Sequence, residues 1–137
     1  MWLFFALLSA VFASATAVLV KVGVRDVDSN LATAIRTSVV LLLSWGIVWF
    51  SGAFGQIKTI PKYSWLFLIL SGVATGLSWL CYFKALQLGD LVKVAPIDKL
   101  SVAITILFAI FFLGEAADVK TIVGASVILV GVAILVF

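Results

Sequence analysis

Apolar residues dominate five stretches of this chain, and polar residues collect in the four joints between them. The apolar runs are 2–22, 31–50, 64–88, 91–113 and 121–137. At 1.5 Å per residue each reaches about 25 to 35 Å as a helix, which suits a hydrocarbon core near 30 Å. The runs are apolar on all sides, whereas membrane strands alternate strictly over about ten residues, so a β-barrel is excluded. The pattern predicts an all-α integral membrane fold of five transmembrane helices, with the whole of 1–137 as one domain.

Composition strengthens this reading. Of 137 residues, 65% are apolar and 11% charged, against about 25% charged in an ordinary soluble domain. A soluble core of this length would leave much of that apolar surface exposed. The net charge of +3 is too small and too scattered for a nucleic-acid partner. With no histidine and one cysteine, Cys81, the chain has no donors for a His-based metal site or proton relay, and no intrachain disulfide. No cofactor, metal site or catalytic residue is expected.

Ala13-Ser14-Ala15 resembles a signal-peptide cleavage site, but no basic residue precedes Lys21. Such a peptide needs a positive leading segment, so the first run is predicted to stay as a helix. Its small residues Ala6, Ala10, Ser14 and Ala17 form a stripe suited to close helix contact. The joint after it offers Asp28, Ser29 or Asn30 as a cap for the second helix, and Asp90 is placed to cap the fourth. Gly72 and Gly76 make a GxxxG in the third helix; with Gly124 and Gly131 in the fifth, they predict packing or dimerisation faces. Glu115 and Asp118 precede the fifth helix, where acidic groups suit the dipole and the cap.

The candidate chemistry lies in the fourth run. Pro96, Asp98 and Lys99 fall within four residues of one another inside an otherwise apolar span. A charge inside a span costs several kcal/mol unless it is paired or wetted. Pro96 lacks an N–H and frees the carbonyl of Val92, which needs protein or water as a partner. Together they predict a local bend lining a wet cavity. Asp98, Ser101 and Thr105 share one helix face, while Lys99 points about 100° away and need not pair with Asp98 directly. If the helix proper starts later, Lys99 instead reaches the interface along its own stem and Asp98 pairs locally.

Helix order places Arg36, Lys84, Asp98 and Lys99 toward the same membrane face. Such a cluster suits an anionic substrate group, with Asp98 holding one cation in place. Alternatively Arg36 and Lys84 extend to the interface. Trp79 and Tyr82 stand on one side of the third helix, either as a surface for organic cations and planar metabolites or as packed aromatics. If protons are coupled to transport, Asp98 is the one well-placed carboxylate. Lys21, Arg25, Lys84 and Lys93 flank joints on one side, against Lys58, Lys62 and Lys120 on the other. That small bias permits insertion in both orientations; counting Arg36 and Lys99 would instead favour a single orientation.

Ser78-Trp-Leu-Cys-Tyr-Phe-Lys-Ala-Leu86, Leu88-Gly-Asp90, Val94-Ala-Pro-Ile-Asp-Lys99 and Phe111-Phe-Leu-Gly-Glu115 resemble the EamA domain of the drug/metabolite transporter superfamily. The resemblance covers essentially the whole chain as one repeat. Most members resemble two inverted repeats fused, so it implies an antiparallel homodimer or an EamA paralogue as partner. It further implies a secondary transporter of small metabolites or drugs in the inner membrane of a bacterium or archaeon. The superfamily's small four-helix relatives use a glutamate in the first helix, which this chain lacks. Asp98, Lys99, Arg36, Trp79, Tyr82 and Ser101 are the residues expected near the substrate. A lipid-linked intermediate flippase, or an accessory membrane subunit, is the alternative.

Overall fold

A computed structural model describes residues 1–137 as helices, turns and short loops, with no strands. The helices are α1 (Trp2–Gly23), α2 (Ser29–Phe50), α3 (Lys62–Leu88), α4 (Leu91–Asp98), α5 (Leu100–Phe108) and α6 (Val119–Val136). A 3-10 segment, Ala53–Thr59, follows α2, and a π-helical turn, Ala109–Leu113, follows α5. Five segments are long and apolar enough to cross a membrane: α1, α2, α3, the broken helix Leu91–Leu113, and α6. The chain divides into two compact units. One comprises Leu19–Gln87; the other comprises Met1–Val18 with Leu88–Phe137.

Capping explains where the helices begin. Asp28 accepts hydrogen bonds from the backbone N–H groups of Asn30 (2.9 Å) and Leu31 (3.1 Å), satisfying two donors that have no partner inside α2. Asp118 does the same for α6, accepting from the Thr121 N–H at 2.8 Å and its hydroxyl at 2.6 Å. Asp90 stands at the start of α4 in an extended conformation, but its side chain makes no capping bond. Its carbonyl instead accepts from Lys93 and Val94. Gly52 ends α2 and Gly114 ends the π-turn, with φ near +70° and +69°, a region that any side chain would strain.

The Asp118 cap carries a pH signature. The Thr121 hydroxyl, then the Thr121 N–H, hold its carboxyl below the usual aspartate value. A depressed acid adds stability in full above its unfolded value and loses it as the pH falls through the folded one. The cap therefore weakens only below about pH 4. Thermal unfolding of the detergent-solubilised protein from about pH 6 to about pH 3 is expected to show a shallower acid slope in Asp118→Asn. An unchanged slope would remove the cap from the acid response.

The Leu19–Gln87 unit has its core at one end. Leu86, Val24 and Ser29 are fully buried, Phe83 is 2% exposed, and Thr33 and Val20 are also buried. Hydrogen bonds close this end. Lys21 donates to the Leu86 carbonyl at 2.7 Å, and Gln87 donates to the carbonyls of Val24 (3.3 Å) and Val27 (3.0 Å). The joint after α1 is thereby tied to the last turn of α3. At the other end of α2, Phe54 packs on Trp45 and Trp49, with ring centroids 6.0 Å apart in each pair.

In the other unit, α6 packs against α4 and α5, and Val132 is its buried residue. A side chain built at Gly72, Gly76 or Gly124 meets nothing within 4 Å. The faces expected to pack through small residues at these positions therefore lie open in the single chain.

Candidate functional site

The fourth span is one helix by composition but two by geometry. Three residues after Pro96, the Lys99 N–H donates to the Pro96 carbonyl at 2.9 Å, and the Val102 N–H donates to the Lys99 carbonyl at 3.0 Å. Both bonds reach back three residues instead of four, so the backbone tightens into 3-10 turns and α4 stops at Asp98. At eight residues, α4 places this break about 12 Å into the span.

The break redirects Lys99. Its ammonium lies 3.1 Å from the Asp98 carboxylate and forms an ion pair with it. The sequence left open both a divergent Lys99 and a local partner for Asp98, and the local partner is what forms. The tightened turn and a long flexible stem bring the ammonium back to the preceding residue. The pair is open, with the Lys99 side chain 59% exposed and Asp98 41%. Ser101 and Thr105, on the same side of the sequence pattern as Asp98, are exposed too. A polar face thus runs along an apolar span with no covering element on it.

In the Leu19–Gln87 unit, α2 and α3 meet at Arg36, whose guanidinium lies 4.1 Å from the Trp79 ring centroid and 5.7 Å from that of Phe83. Ser29 and Thr33, earlier on α2, and Phe83 and Leu86, later on α3, are buried. Cation–π attraction contributes about 0.5–1 kcal/mol at exposed sites and about 2 kcal/mol when desolvated. Arg36 is half-buried, and neither a carboxylate nor a carbonyl of the chain accepts from it. Tyr82 is half-buried on the same helix. Lys84 is exposed and donates to Gln87 at 3.2 Å.

Arg36 and Trp79 are therefore brought together, as are Asp98 and Lys99, while Lys84 belongs to the closed end near Gln87. Sequence reasoning missed Phe83, the second ring beside Arg36, and Gln87, the double donor that fixes the joint. Their signal was faint: 79, 83 and 86 share a helical face, but the whole run is apolar and no stripe stands out.

An apolar five-span chain with a charged break is what one family of carriers predicts, and the EamA-like transporter family model matches residues 1–137. The chain belongs to the EamA-like transporter family. A Sinorhizobium protein named "Uncharacterized transporter in cobO 3'region" is 48% identical over 134 residues, covering 98% of this chain and 95% of the relative. No solved structure matches the chain. As a member of the EamA-like family, it is a multi-pass membrane transporter. The broken helix and the Arg36–Trp79 contact are thus features of one EamA repeat.

Proposed function

We propose that the protein is one half of a secondary transporter, an exporter or exchanger of small metabolites or drugs in the inner membrane of a bacterium or archaeon. Two five-helix halves, in opposite orientation, alternate access to a central site. The observation that carries this reading is the open Asp98–Lys99 pair at the break in the fourth span. An ion pair in hydrocarbon needs water or protein around it, and a second half enclosing a wet cavity supplies both. Discontinuous helices lining midplane sites are a recurring device of transporters built from inverted repeats. Asp98, Lys99 and Ser101 in one unit, and Arg36, Trp79 and Tyr82 in the other, are the residues assigned to substrate handling, and no cofactor takes part.

The charge pattern supports pairing of inverted copies. Arg36 is engaged by aromatic rings and Lys99 by Asp98, so neither acts as a free interfacial charge. The remaining count, Lys21, Arg25, Lys84 and Lys93 against Lys58, Lys62 and Lys120, favours neither orientation strongly.

Reconstitution tests this reading. Liposomes containing the protein are expected to exchange at least one labelled metabolite from a set of cationic, anionic and zwitterionic compounds. C-terminal reporters are expected to be active on both sides of the membrane. Absence of flux for the whole set would overturn the transporter assignment. Reporters active on one side alone would overturn inverted pairing with itself and leave a paralogous half as the partner.

A further inference from the structure

Arg36 is a half-buried charge inside a span, and no acceptor in the chain takes its hydrogen bonds. Its guanidinium carries five N–H donors in a planar fork. The structure gives it two aromatic neighbours, Trp79 and Phe83, and no acceptor. Rings stabilise the positive charge through their faces, but they take none of the in-plane hydrogen bonds that the fork offers. Seven residues into α2, the group lies about 10 Å inside the span. There the donors need protein, ligand or cavity water as acceptors, because lipid supplies none.

On one side of Arg36 along the unit, Thr33, Ser29, Phe83 and Leu86 are buried, and the joint beyond is tied by Gln87 and Lys21. The Thr33 hydroxyl donates to the Ser29 carbonyl at 2.7 Å and makes no bond with Arg36. Deeper in the span, Ile35, Val39 and Val40 on α2 are exposed, as is Val73 on α3. Arg36 therefore stands at the border between a buried end and an exposed one. An arginine over an indole, with no acceptor in the chain for its N–H groups, suits a planar or tetrahedral oxyanion, which it binds through two parallel bonds.

We infer that Arg36, seated on Trp79, is an anion-binding subsite that receives a carboxylate or phosphate group of the ligand. The inference rests on the transporter reading and narrows it to cargo with at least one anionic group. The same chemistry admits two sources, a soluble metabolite or the phosphate of a lipid headgroup.

The test uses full-length protein in detergent, with Trp2, Trp45, Trp49 and Trp65 replaced by phenylalanine so that Trp79 reports alone. Its fluorescence is titrated with sodium succinate, with inorganic phosphate, and with phosphatidylglycerol against phosphatidylcholine in mixed micelles, all at constant ionic strength. At least one anionic probe is expected to give a saturable change that sodium chloride does not. Arg36→Gln is expected to weaken it about tenfold or more, and Arg36→Lys to restore part of it, because an ammonium keeps the charge without the fork. A response to succinate or phosphate assigns a soluble ligand; a response to phosphatidylglycerol alone assigns a lipid. Wild-type titrations that match Arg36→Gln for every probe would overturn the subsite. Thermal unfolding of both variants verifies that they remain folded. Flux of metabolites without anion binding would remove this inference and leave the transporter standing. Anion binding without any flux would do the reverse.

Discussion

Replacing Asp98 by asparagine is expected to lower transport by about ten- to a hundredfold, the effect of losing one charge-assisted interaction of about 1.5–3 kcal/mol. The substitution keeps size and shape and removes only the charge. It leaves Lys99 without its counterion at a break in an apolar span. In the proposed cycle that cost falls on whichever state seals the pair from water, so the barrier between inward and outward states rises. Folding is expected to change little, because the pair is 41% and 59% exposed and open pairs contribute about 0–1 kcal/mol. The measurement is uptake of a wild-type substrate into liposomes, set beside size-exclusion and thermal unfolding of the same preparation. Lys99→Gln, which leaves the carboxylate unpaired instead, tells whether the pair or the acid alone matters. Wild-type flux from Asp98→Asn would sink the assignment of Asp98 to the transport cavity.

Several parts of this picture are written plainly in the chain. Spans of about twenty apolar residues can do little else than cross a bilayer as helices. The joints announce themselves through Asp28 and Asp118, both of which cap as their positions suggest. Pro96 signals a disturbance in the fourth span. The backbone, however, breaks three residues later, at Lys99, where the tightened turns form. A proline restricts the residues around it without dictating which bond gives way. The π-turn at Ala109–Leu113 left no trace in the composition, since all five residues are ordinary helix formers in an apolar run.

The pairing of Arg36 with Trp79 was the least legible feature. Each residue drew notice alone, as a buried cation and as an aromatic away from the interface. Whether they meet depends on the register between α2 and α3. The joint before α2 is tied to α3 by Gln87, and α1 by Lys21, through backbone carbonyls, and every residue has one of those. Polar residues that lock a joint through carbonyls cannot be told apart from surface residues by type or spacing. The same limit applied to Lys99, whose partner depended on a local loss of helical geometry.

Truncating Phe83 to alanine is expected to be the most destabilising single change in the Leu19–Gln87 unit, by about 3 kcal/mol, the lower end of the range for buried phenylalanines. Phe83 is 2% exposed, so its ring is packed against protein and not available to lipid. Lipid tails refill a vacancy on an outer face but cannot reach this one, and the cavity term is therefore retained. The ring also stands between the closed end and Arg36, 5.7 Å from the guanidinium. Its loss removes one of the two aromatic faces beside the charge. A phenylalanine on the outer surface supplies the comparison. Phe111, 79% exposed in the π-turn, is expected to tolerate alanine within about 0.5 kcal/mol. Thermal unfolding in detergent, followed by tryptophan fluorescence, distinguishes the two. Equal effects at both positions would mean that lipid or detergent reaches Phe83, and the buried end of the unit would not be the rigid base beside Arg36.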